Sequence, residues 1–179
     1  MGAGLEVIVI FVFLTGHRMM NNLDQRKVER TISKLIFLNE YRAEFYRRVY
    51  QKVSVSGLRV VCNKNYTASI TNITRLYVEL GRLGLEATGE RLTFEMLKMG
   101  FDLKASLGLF FRSLLVSMCE SVERQALNHY SAVVHSKVIS DPKLFSLVEE
   151  QCMAIASVHA ALDEINPSHS IKTAVNHSC

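Results

Sequence analysis

Residues 103–139, LKASLGLFFRSLLVSMCESVERQALNHYSAVVHSKVI, hold no proline and one glycine, Gly108. Within them Leu103, Leu107, Phe110, Leu114, Met118, Val122, Ala126, Tyr130 and Val133 recur every three or four residues. That is the period of one helix face; a half-buried strand would alternate at every second residue. Arg112 is the only charge between 105 and 119, so this half is apolar nearly all round and predicts a helix at the centre of a core. A break near Arg124 divides the stretch into two helices on this reading.

On the C-terminal side, Asp141-Pro142 is a helix start, with Asp as the cap and Pro at the first helical position. Leu144, Val148, Cys152, Ile155, Val158, Leu162 and Ile165 then line one face until Asn166-Pro167 ends the helix. The near-heptad stripe of Val148, Cys152, Ile155 and Leu162 reads as a self-association face. Residues 167–179 read as a flexible tail.

On the N-terminal side, a helix is expected over 68–83, with Ile70, Ile73, Leu76, Tyr77 and Leu80 inward and Gly81, Gly84 and Gly89 near its end. Val53 to Cys62 breaks the helical pattern and reads as a short hairpin turning at Ser56-Gly57, or as an irregular corner. Asn22 with Gln25 forms a capping box ahead of a helical segment over 23–52, jointed at Asn39-Glu40. Its wet face is assigned to Arg26, Lys27, Glu29, Arg30, Arg42, Glu44 and Arg47. The fold class is therefore all-α: one domain over 21–166, an orthogonal or bundle-like arrangement of five to seven helices.

The 179 residues are 49% hydrophobic and 21% charged, enough to bury a core and unlike a disordered chain. The net charge of +4 is spread. Its densest basic spot, Arg42, Arg47, Arg48 and Lys52, is interrupted by Glu44, so it reads as a solvated helix face with no nucleic-acid stripe. Cys62, Cys119, Cys152 and Cys179 stand 57, 33 and 27 residues apart and contain no C-x-x-C. Two disulfides are arithmetically open, while Cys119 lies in an apolar run where a buried thiol acts as a small hydrophobe.

Residues 1–20 form an apolar N-terminal segment, a signal or anchor candidate built on Val7–Leu14. The block is shorter than the roughly 20 residues of a membrane-spanning helix, so no stable transmembrane span is expected. No Lys or Arg precedes it, and Leu14-Thr15-Gly16 is a poor cleavage site. Three sequons, at Asn65, Asn72 and Asn176, are glycosylation candidates and point towards secretion. Secretion and the cytoplasm stand evenly balanced. Gly2 lacks the Ser or Thr that myristoylation prefers at position 6, where Glu6 stands.

Motifs that carry chemistry are scarce. None of the six histidines pairs with a second His at metal-binding helical spacing, and no metal site is assigned. No nucleophile elbow or Cys–His signature appears, and no catalytic residue is assigned. Gly81-Arg82-Leu83-Gly84 matches a G-x-x-G loop without the strands that motif needs. Thr15-Gly16-His17-Arg18 follows an apolar block as a nucleotide-site turn would, but Asn63-Lys64-Asn65-Tyr66 stands where a second glycine-rich turn is required.

From residue 23 to 139 the helical order resembles a degenerate globin. Residues 42–50 with Leu58–Val61 resemble the second globin helix and its corner. Thr88–Glu95 resembles the Leu-Gly-x-x-His stretch, and Phe101–Leu115 with His129–Val134 the last two helices. Leu92 stands where that family carries its iron-binding histidine, and leucine cannot ligate iron. The resemblance thus implies a helical module without regular haem ligation; haem is left to unconventional ligands, and otherwise no cofactor is expected. The function expected is non-enzymatic binding of a partner protein or apolar ligand, with homo-oligomerisation. The alternative is a secreted, cytokine-like helical glycoprotein.

Overall fold

A computed structural model describes residues 22–53, 56–88 and 112–165. They form four helices: α1 (Asn22–Lys52), α2 (Ser56–Arg82), α3 (Arg112–Ser136) and α4 (Pro142–Ile165). The all-α class holds, and the described residues form four helices.

Two expected breaks do not occur. α1 runs through Asn39-Glu40 without a joint, and α3 runs through Arg124. A polar residue inside a helix need not end it when its side chain finds partners: Asn39 Nδ2 donates to the Leu35 carbonyl one turn back. The hairpin over 53–62 is also corrected. α2 starts at Ser56, and Leu58 and Cys62 enter the core one helical turn apart, so burial overrides the strand preference of the valines.

The helix ends follow local chemistry. Asp141 Oδ1 accepts the amide of Leu144 and caps α4, as Asp141-Pro142 predicts. α2 ends in a Schellman motif: Leu85 N donates to the Leu80 carbonyl and Gly84 N to that of Gly81, with Gly84 at φ 68°. Leu80 and Leu85 are both buried in one cluster, the apolar contact that accompanies this cap. Lys137, at φ 54°, turns the chain after α3.

The core has two apolar halves. One gathers Val28, Ile32 and Leu35 of α1, Leu76 and Leu80 of α2, Ala126 and Tyr130 of α3, and Leu144 and Val148 of α4. The other gathers Phe45 and Val49 of α1, Leu58 and Cys62 of α2, Leu115 and Cys119 of α3, and Leu162 of α4. Read helix by helix, these memberships make α1 and α4 run one way and α2 and α3 the other. Each helix packs against antiparallel neighbours, and α2 lies diagonally across from α3. α2 therefore ends at the opposite end of a bundle about 40 Å long from the one where α3 starts. Among the described residues no helix is long and apolar enough to cross a membrane.

Candidate functional site

Between the two apolar halves lies a polar layer to which every helix contributes. Arg42 of α1 is 1% exposed and Glu123 of α3 is fully buried. The guanidinium grips the carboxylate from two sides, Nη2 at 2.8 Å from Oε2 and 3.0 Å from Oε1, with Nε at 3.2 Å from Oε1. Tyr46 donates its hydroxyl to the same Oε1 at 2.7 Å. Burial, followed by the Glu123 charge, pushes the Tyr46 phenol well above its ordinary range. The reading of Arg42 as part of the wet face is thus corrected: its counter-charge sits on a helix far away in sequence, and an ion so paired can be buried.

One turn away, a closed circuit takes one residue from each helix. Asn39 Nδ2 donates to Tyr130 Oη at 2.6 Å, and Tyr130 donates to Gln151 Oε1 at 2.6 Å. Gln151 Nε2 donates to the Asn72 carbonyl, and Asn72 Nδ2 returns to Asn39 Oδ1 at 3.3 Å. Arg42 Nη1 donates to the same Asn39 oxygen at 2.9 Å and so ties circuit to ion pair. Burial holds the Tyr130 phenol up at about 12, so it stays a neutral donor and acceptor. The layer spends its donors and acceptors on one another. It fixes register between helices and presents no activated nucleophile.

At the rim, Glu79 of α2 accepts from Arg82 and from Lys143 of α4, and Arg82 also reaches Asp141. Burial raises the Glu79 carboxyl, but the bonds from Lys143 and Arg82 outweigh it and the net shift is downward. Arg75 and Glu150 pair across the same helices at 2.7 Å. These charges border a shallow cleft lined by Thr74, Val78, Lys143 and Leu147.

The outward surface of α2 carries the feature that the interior does not account for. Tyr66, Ile70, Ile73 and Tyr77 repeat at steps of four, three and four, a line along one flank. Ile70 is 43% exposed and Tyr77 47%, while Tyr66 and Ile73 are half-buried against the core edge. The expectation that Ile70 and Tyr77 point inward is therefore corrected: Leu76 and Leu80 take the core and leave their neighbours outside.

The other assigned residues fall as follows. Asn65 is 2% exposed, so a sugar on it has no room in this fold, and Asn72 is half-buried in the polar circuit. Val148, Ile155 and Leu162 turn into the chain's own core, with Cys152 half-buried beside Ser131, so they offer no face to a second copy. Their heptad spacing reflects packing within the bundle. Asn176, Cys179, Leu92, the 1–20 segment and the 167–179 tail lie outside the described residues, as does 103–111 of the opening stretch. His129 and His135 are exposed, each ring bonded to a carbonyl four residues back. Among the described residues no three His, Cys, Asp or Glu side chains converge as a metal site.

Among the described residues, fold and site define an antiparallel arrangement of four helices with a hydrogen-bonded polar layer and an apolar flank of α2 left outside. No family model, curated protein or solved structure matches the chain.

Proposed function

We propose that the protein is a non-enzymatic helical module that binds a partner protein through the Tyr66–Ile70–Ile73–Tyr77 flank of α2. The observation that carries this reading is the exposure of Ile70 and Tyr77 on a line of apolar residues, in a bundle whose central polar layer bonds to itself. Steps of four and three fit an amphipathic helix laid alongside, and two tyrosines supply the rigid aromatic anchors that concentrate binding energy. A photo-crosslinker at position 77 tests it. Capture of a discrete partner that Ile70→Glu abolishes, with the urea midpoint unchanged, is the expected result. Equal capture with and without the substitution would defeat the reading.

Haem held by unconventional ligands is the second reading, and one observation favours it. His159 Nε2 is buried with no hydrogen-bond partner, alone in this among the described side chains. A haemin titration of the full chain and of His159→Ala tests that: a stoichiometric Soret band lost in the variant supports it, and a featureless titration ends it.

A further inference from the structure

The apolar flank of α2 is symmetric in its own sequence. Tyr66, Ile70, Ile73 and Tyr77 read the same in both directions, tyrosine outside and isoleucine inside, with equal steps on either side of the midpoint between Thr71 and Asn72. Turned end for end about that midpoint, α2 presents the same line again, which is what a two-fold interface requires of each half. We propose that the partner on this flank is a second copy of the chain, docked antiparallel with the two-fold axis passing between Thr71 and Asn72; the inference rests on the reading of the flank as a partner surface.

Relief and charge along the flank fix the direction. Antiparallel copies set Ile70 against the partner's Ile73 and Tyr77 against the partner's Tyr66. Exposed Ile70 and Tyr77 then rest on positions half-buried at the core edge, prominent against recessed, the fit of a knob into a hole. In a parallel pair the prominent side chains would meet one another. Arg59 lies two turns before Tyr66 on the same flank, with its guanidinium over the Tyr50 ring at 4.5 Å. Stacking occupies the face of that group and leaves its N–H edge for a carboxylate, and Arg59 forms no ion pair among the described residues. At the other end Glu86 is exposed just beyond the Gly84 turn, equally without an ion pair among the described residues. The same axis that joins Tyr66 to the partner's Tyr77 brings Arg59 beside the partner's Glu86, and symmetry makes that pair twice. Parallel copies would set like charges together at both ends.

The test is sedimentation equilibrium of the purified full chain over a concentration series reaching about 100 μM. The mass is expected to rise from one chain to two. Ile70→Glu should stay monomeric with its helical circular dichroism unchanged; should that variant lose helix, Tyr77→Ser at the second exposed position gives the same reading. Arg59→Glu should weaken the dimer about tenfold, because both symmetry-related pairs turn from attraction to repulsion, and adding Glu86→Arg should restore it. A photo-crosslinker at position 77, in an equal mixture of isotope-labelled and unlabelled chains, should join peptides of mixed label at the peptide that holds Tyr66. A chain monomeric throughout the series overturns the second copy. If position 77 then captures a different protein in a way that Ile70→Glu abolishes, the flank reading stands and this inference alone falls; if it captures nothing, both fall. A dimer that Ile70→Glu leaves intact, or a mixed-label cross-link from position 77 to position 77, also overturns the proposal.

Discussion

Arg42 and Glu123 lie 81 residues apart in the chain and meet in the interior as a doubly bonded ion pair, at 2.8 and 3.0 Å from one guanidinium nitrogen. Removing one member strands the other. Arg42→Ala is therefore expected to destabilise by about 3–5 kcal/mol, because a lone buried carboxylate remains. The joint replacement Arg42→Met with Glu123→Leu should cost far less than the single change. Urea unfolding of both variants and of the wild type checks the order.

Tyr130 is the junction through which α1, α3 and α4 share hydrogen bonds. Tyr130→Phe keeps the ring and deletes the hydroxyl, leaving buried Asn39 and Gln151 each short of a partner. A loss of about 1–3 kcal/mol is expected. Chemical denaturation reads it, and far-ultraviolet circular dichroism should show unchanged helix content in the native baseline.

The two glycines at the end of α2 should respond in opposite directions. Gly84 holds φ 68°, which L side chains disfavour, so Gly84→Ala should cost about 1–2 kcal/mol. Gly81 is helical, and a Cβ added there meets nothing within 4 Å. Gly81→Ala should then stabilise by up to about 1 kcal/mol. Opposite shifts in thermal midpoint are the expected outcome.

Acid should weaken the fold through defined carboxylates. The Arg47 hydrogen bond holds Glu44 at about 2 against an ordinary 4.5; partial burial opposes it and Arg48 adds to it. A carboxyl depressed in the folded state contributes its stability above the unfolded value and loses it as pH falls through the folded one. The window is thus from about pH 4.5 down to about 2 for Glu44. Glu79, Asp141 and Glu150 shift in the same direction and add to the acid limb. The stability gap between wild type and Glu44→Gln should narrow as pH falls through that window, read by urea midpoints.

The last helix offers a contrast between inside and outside. Leu162 is 2% exposed and Met153 is 63% exposed. Leu162→Ala should cost about 2–5 kcal/mol through lost burial and the cavity left behind. Met153→Ala should stay within about 0.5 kcal/mol of wild type. A Leu162→Glu chain that remains folded and merely changes oligomeric state would show that the α4 stripe is a surface after all.

Local rules were sufficient for much of this protein. Three-and-four periodicity marks α1, α3 and α4 as helices, and Asp141-Pro142 and Asn166-Pro167 bracket α4, since a cap and a fixed φ act within a few residues. Steps of four and three also reveal the Tyr66–Tyr77 line, but not which way it faces. Periodicity assigns residues to a face, and only the neighbours decide whether that face is covered. The valines before Cys62 misled because β-branched preference is worth less than burying Leu58 and Cys62 on a helix.

The polar layer was illegible for a different reason. Arg42, in a run of basic residues, looks like surface until Glu123 arrives from α3, and Asn39 looks like a break until Tyr130 and Asn72 surround it. Burying a charge or an amide depends on a partner, and here the partners are supplied by helices that fold together from distant parts of the chain. Helix identity and caps are properties of short stretches. Which polar residues are interior and which apolar ones are left out are properties of the assembled bundle alone.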